Sequence, residues 1–176
     1  PLYFEKPVSS CFEAAIRLGN VTTRRLLQLF TAPECVPDRY SVIGQFVQDV
    51  VKHAREIAYM CAQLAELTPG LVVARAYEVG LLHSVGELSA LAYAENSPAV
   101  VLDEARRLSC LESARGLLGS TLLRSFRLTS DFVMAATAAE EWQRQHETPV
   151  DYADLVILAK LHSAIGTARA RQIPSM

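Results

Sequence analysis

An all-α fold is predicted by three features of this 176-residue sequence. Apolar residues recur every three or four positions through most of the chain, the spacing that lines one face of a helix. No run of strictly alternating apolar and polar residues is flanked by a hairpin signal such as Asn-Gly, so strands have no signature. Glycines, prolines and cap residues interrupt the periodic stretches at intervals that mark out about nine helices. Hydrophobic residues make up 51% of the chain and charged ones 20%, which is enough apolar surface to exclude a disordered polymer. Folding at this length buries roughly 70% of the unfolded surface. With no repeat, low-complexity tract or long linker, residues 1–176 are read as one compact multi-helix bundle.

The elements follow in order. Ser9 and Ser10 offer caps for a first helix through Phe12, Ala15, Ile16 and Leu18, closed by Gly19. A second starts after Asn20, turns Leu26, Leu27 and Phe30 inward, and stops before Pro33. Pro33 to Pro37 reads as a loop, and the longest helix is expected from about Arg39 to Glu66. Its stripe is Phe46, Val50, His53, Ile57, Cys61 and Leu64, which places His53 inward. Thr68-Pro69-Gly70 breaks that helix. The next is expected over Leu71 to His83, with Val72, Ala76, Val79, Gly80 and His83 on one face. A further helix spans Val85 to Glu95, and the others are placed at 98–111, 113–126, 130–146 and 150–170, the last opened by Pro149 and Asp151.

Charge and composition narrow the function classes. Seventeen Lys and Arg against nineteen Asp and Glu leave a formal charge of −2, so no global positive field draws nucleic-acid phosphates or anionic lipid. No apolar segment approaches the ~20 residues of a membrane span. Residues 1–7 lack the pattern of an export signal, and a start at Pro1 is read as a trimmed or processed end. Cys11, Cys35, Cys61 and Cys110 are widely spaced without a Cys-x-x-Cys pair, which fits reduced core thiols in a cytoplasmic protein.

The segment Ala76-Tyr77-Glu78-Val79-Gly80-Leu81-Leu82-His83-Ser84-Val85-Gly86-Glu87-Leu88 resembles the metal-binding segment of the HD superfamily, where a helix ends Gly-Leu-Leu-His-Asp and continues Ile-Gly-Lys. The resemblance is closer to the HD-related output domain, or HDOD, family of bacterial signalling proteins. Pro7 to Gly19, with its Ala15-Ile16-Arg17-Leu18-Gly19, is similar to that family's opening segment. Lys52-His53-Ala54-Arg55-Glu56-Ile57-Ala58 resembles its His-Ser-x-x-x-Ala helix, and Gly119 to Leu128 its Gly-Ala-x-Leu-Leu-x-x-Trp-x-Leu, with Phe126 for the aromatic. Four motifs in order cover most of residues 7–165. The family usually carries further helices ahead of the segment matched at Ser9, so the resemblance implies a fragment of a longer protein.

The residues at the matched site speak against hydrolysis. A metal-dependent hydrolase needs imidazoles and anionic oxygens around a cation with one position open for the water it acidifies. His53 and His83 stand at the imidazole positions, but Ser84 replaces the adjacent aspartate with a neutral hydroxyl. In Leu158-Ala159-Lys160-Leu161, similar to the family's Leu-Ala-Asp, Lys160 replaces the later aspartate, and an ammonium repels a divalent ion. The stretch from Glu112 to Trp142 contains no histidine, Arg115 and Thr137-Ala138-Ala139 standing near the positions where active relatives have them; His146 and His162 are the remaining two. A rebuilt His53–His83–Glu87 set is the competing metal site. The expectation weighed against it has Gly86 ending or bending its helix, Glu87 facing solvent and both histidines bonded within the core. Ser84 beside His83 suggests a nucleophile and base only superficially, since neighbours on a helix point about 100° apart. Arg24-Arg25 and Arg106-Arg107 read as solvated pairs, and Trp142 with Tyr152 as packing between adjacent helices.

The expected function is therefore a non-catalytic, cytoplasmic signal-transduction module, not an enzyme, needing no cofactor. Its expected partners are another protein, a neighbouring signalling domain or a second copy of the chain, and neither nucleic acid nor membrane. The alternatives are a residual nucleotide phosphohydrolase acting through His53, His83 and Glu87, and a nucleotide-sensing pocket without catalysis.

Overall fold

A computed structural model describes residues 42–94 and 103–167, together with Glu13 and Ile16. Every regular element among the described residues is an α-helix. The helices are α1 (Val42–Glu66), α2 (Val73–Leu82), α3 (Val85–Ala94), α4 (Glu104–Ser125), α5 (Ser130–Ala138) and α6 (Tyr152–Ala164). Glu13 and Ile16 are also helical. Apart from Glu13 and Ile16, the two helices expected before Pro33, the loop to Pro37, the arginine pair at 24–25 and the side chains of the pair at 106–107 lie outside what is described, as does the expected total of nine helices. No described helix is long and apolar enough to cross a membrane.

Alanine sets the spacing of the main core. Ile57, Cys61 and Ala65 of α1 meet Ala76 and Val79 of α2, Leu123 of α4, Phe132 and Ala135 of α5, and Ala153, Val156 and Ala159 of α6. So many methyl side chains let the helix axes approach closely, while Ile57 and Val156, each fully buried, supply the larger apolar area at about 1.5–3 kcal/mol per side chain. A smaller cluster of Ile43, Ala90, Leu91 and Leu111 ties α1 to α3 and α4. Cys61 is a free thiol in the main core, and burial pushes it up to about 12. It is inert packing.

The helix boundaries correct several expectations. Val72 is extended and exposed, so α2 begins after it; the Val72 N–H donates to the Tyr152 hydroxyl at 3.0 Å. The helices expected at 98–111 and 113–126 are one helix, α4, which starts after the non-helical Asp103 and runs through Glu112. No proline or positive-φ residue interrupts that stretch. Gly86 does not bend its helix either. It lies within α3 because a Cβ there would stand 1.8 Å from the Arg115 carbonyl oxygen, so its bare backbone is what lets α3 cross α4. The helix expected at 130–146 ends at Ala138, and residues 139–151 form turns and loop. α6 is shorter than the expected 150–170: Asp151 caps its start in a reciprocal box with Asp154, and Gly166 follows its end at φ +76°. Phe126, read as the family's aromatic, is exposed.

Candidate functional site

Six segments converge on one cavity of about 290 Å³. α1 contributes His53; the junction between α2 and α3 contributes His83 and Ser84; α3 adds Glu87, α4 Arg115, the loop after α5 Glu140 and Trp142, and α6 Lys160. A second hollow of about 210 Å³ shares His83, Ser84, Glu87, Arg115, Glu140 and Lys160 and reaches Leu117 and Thr137. The close α3–α4 crossing at Gly86 brings Glu87 and Arg115 to the same wall. Glu87 is half-buried there, not turned to solvent as the sequence reading expected.

The two histidines differ. His83 caps the end of α2 and is buried; its Nδ1–H donates to the Gly80 carbonyl at 2.6 Å. A carbonyl only accepts, so this bond fixes the tautomer and leaves Nε2 with an unprotonated lone pair. Burial, with the nearby Lys160 charge adding to it, lowers His83 to about 3, so the ring is neutral. His53 is half-buried, with its Nδ1 3.7 Å from Glu56, and its ring meets His83 edge-on at a centroid distance of 6.5 Å.

Lys160 dominates the electrostatics. Its Nζ donates to Glu140 Oε1, which also lies 3.3 Å from an Arg115 guanidinium nitrogen. The ammonium is 5.6 Å from the centre of the Trp142 ring. Burial pushes the lysine below its ordinary value and the Glu140 carboxylate opposes that shift. Ser84 Oγ is buried in the same wall and has no hydrogen-bond partner among the described residues. No Ser84–His83 bond forms, so the two do not act as nucleophile and base.

A divalent metal does not fit this donor set. Its wall carries an ammonium and a neutral hydroxyl where anionic oxygens are needed. Among the described residues the only trio whose ligand atoms lie within 4.8 Å of one another is His146, Asp151 and Asp154, so His53, His83 and Glu87 share a cavity without closing on a point. That other trio is occupied by Arg144, which donates to both carboxylates at 2.5–2.8 Å while His146 Nε2 lies 2.9 Å from Asp154. It clasps the 139–151 loop to the start of α6.

Sequence reasoning brought His53, His83, Ser84, Glu87 and Lys160 to the site and missed Glu140. The available signal was Lys160 itself, a cation within the apolar Val156–Leu161 run, which requires a buried anionic partner. Nothing in the spacing identified that partner, twenty residues earlier in the chain. Trp142 was read as interhelical packing; it lies instead in the loop and lines the cavity, while Tyr152 packs against the main core.

The family model of the HDOD domain matches residues 1–143, and Lys160 lies beyond that match. The fold is similar to that of a "putative metal-dependent phosphohydrolase" from Shewanella amazonensis SB2B, seen in its crystal structure, with a TM-score of 0.64 and 18% sequence identity. That similarity covers 97% of this chain but 63% of the other, so the chain spans under two thirds of the neighbour's length. At this identity the likeness is one of fold. No curated protein matches the chain.

Proposed function

The chain belongs to the HDOD family, and from that premise we propose that it is a non-catalytic regulatory module, a helical scaffold that acts by binding a protein partner or a neighbouring signalling domain. One observation carries the reading: Lys160 is ion-paired with Glu140 inside the cavity lined by His53 and His83. Hydrolysis of the HD type needs a cation that acidifies water, and such a cation would meet a fixed positive charge there. His83, neutral and bonded to its own helix through Gly80, serves the packing of the α2–α3 junction.

Metal analysis and a hydrolysis assay test the proposal together. Wild-type protein purified without chelator should carry well under one equivalent of iron, manganese or zinc. With added manganese it should turn over neither mononucleotides nor cyclic dinucleotides above the buffer rate. Stoichiometric metal, or turnover that disappears in His83→Ala, would make the chain a hydrolase and end the proposal.

A further inference from the structure

The loop before α6 holds a second set of reactive side chains, outside both hollows. His146 Nδ1 lies 2.6 Å from the Thr148 hydroxyl, and His146 Nε2 lies 3.0 and 2.9 Å from the two Asp154 carboxylate oxygens. A carboxylate only accepts, so Nε2 carries the proton and donates to Asp154. In the neutral ring Nδ1 then holds the lone pair, and the Thr148 O–H donates to it. Asp154 is itself fixed, by Arg144 and by the reciprocal cap with Asp151 at the start of α6. That cap is complete without Thr148 or His146. A hydroxyl bonded to a base that a third group orients is the arrangement that activates a nucleophile.

We propose that Thr148 is an acyl-acceptor site, its hydroxyl taking the acyl group of an activated ester with His146 as the base and Asp154 orienting the ring. Thr148 Oγ1 attacks the acyl carbon as its proton passes to His146 Nδ1, and the Asp154 carboxylate faces the imidazolium that forms. The adduct then collapses: the new Oγ1–C bond stays, the bond to the leaving oxygen breaks with its electron pair on that oxygen, and the imidazolium gives its proton to solvent. Two features set the donor class. Thr148 and His146 are exposed on a loop, so a donor reaches them without opening the fold. Pro149, next in the chain, has no N–H to offer a developing oxyanion, so the reaction is confined to esters whose leaving group departs easily. The product is an alkyl ester, a poorer donor than the aryl ester that made it, and it persists. The result is a covalent mark on the module and not turnover, and it does not depend on how the cavity is read.

Exposure of the full chain to p-nitrophenyl acetate tests this. Release of p-nitrophenolate should begin with a burst that Thr148→Val lacks, and peptide mass spectrometry should place an acetyl group on Thr148. Thr148→Ser keeps the hydroxyl and should keep the acetylation. His146→Ala should slow acetylation of Thr148 by about 100-fold, the lower end of what a positioned base supplies. Asp154→Asn removes the charge that orients the ring and should slow it by at least about tenfold. If Asp154→Asn does not fold, His146→Ala decides the case, because it leaves Arg144 on both carboxylates. Acetyl groups found on other side chains but not on Thr148 overturn the proposal. So does a burst of equal size in Thr148→Val, or acetylation of Thr148 at an unchanged rate in His146→Ala, which would make the hydroxyl no more than an exposed one.

Discussion

Two charge clusters sit at opposite ends of the connection between α5 and α6, built from the same kinds of residue in different surroundings. At its start, Glu140 is shared between Lys160 and Arg115 in the cavity wall. At its end, Asp151 and Asp154 are shared between Arg144 and His146 near the surface. The surface clasp is over-determined, because Asp151 accepts backbone N–H groups of α6 as well as the Arg144 fork. The cavity cluster hangs on one hydrogen-bonded carboxylate, Glu140, with Glu87 acting on Lys160 only through space. Redundancy at the clasp fixes where the loop lands on α6, and this landing holds Glu140 and Trp142 over the cavity. Losing one member should therefore cost far more in the cavity than in the clasp, and to different degrees at different pH.

The largest effect is expected at Glu140. Glu140→Gln leaves a buried ammonium and a guanidinium with no anion between them. Loss of one partner from a buried pair costs about 3–5 kcal/mol, and because Glu140 is 31% exposed we expect nearer ~2 kcal/mol in urea denaturation. Adding Lys160→Met, which removes the charge and keeps the bulk, should restore at least half of the loss. If Glu140→Gln alone costs no more than an exposed pair, the distinction between the two clusters fails.

The sequence disclosed the buried cation but not the geometry that makes it matter. His53 and His83 were legible because each is a polar side chain on an apolar helical stripe, where burial demands a reason, and Lys160 because Leu158-Ala159-Lys160-Leu161 resembles the family's Leu-Ala-Asp. The helical class and the long α1 were legible from periodicity. Glu140 was not, because it follows the alanine-rich Ala135–Ala139 segment that reads as continuing helix. That segment unwinds after Ala138 for tertiary reasons, namely the bonds of Glu140 in the cavity and of Arg144 and His146 at α6. Continuity of α4 was missed at Glu112, between the helices expected at 98–111 and 113–126, although neither a proline nor a positive-φ residue stands there.

Acid separates the clusters next. His83, at about 3 in the fold against 6.5 ordinarily, is neutral when folded and gains a proton when the chain unfolds below pH 6.5. The unfolded state then binds more protons, so stability is full above pH 6.5 and falls as pH drops toward 3, by up to about 1.4 kcal/mol per unit. At pH 5 the chain should be roughly 2 kcal/mol less stable than at pH 7. His83→Gln should flatten the slope between those values. The clasp responds lower on the scale. Burial raises the Asp151 carboxyl, but the Arg144 hydrogen bonds and backbone N–H groups outweigh it and hold the group below 3.8, so its contribution is lost only as pH falls through that depressed value. An unchanged slope in His83→Gln would show that some other group governs the acid response.

The smallest effects belong to the clasp, and their order tests its redundancy. Asp151→Ala removes the helix cap and both Arg144–Asp151 hydrogen bonds together, leaving Arg144 on Asp154, for about 1–2 kcal/mol. His146→Ala removes one ring from Asp154 while Arg144 remains, so the cost should stay below ~0.5 kcal/mol, the level of an exposed pair. Both follow from urea midpoints at pH 7. A His146→Ala loss matching that of Asp151→Ala would mean that the imidazole, and not the guanidinium, anchors the loop. The landing of the loop that carries Glu140 and Trp142 would then depend on the contact between His146 and Asp154 and not on the Arg144 fork.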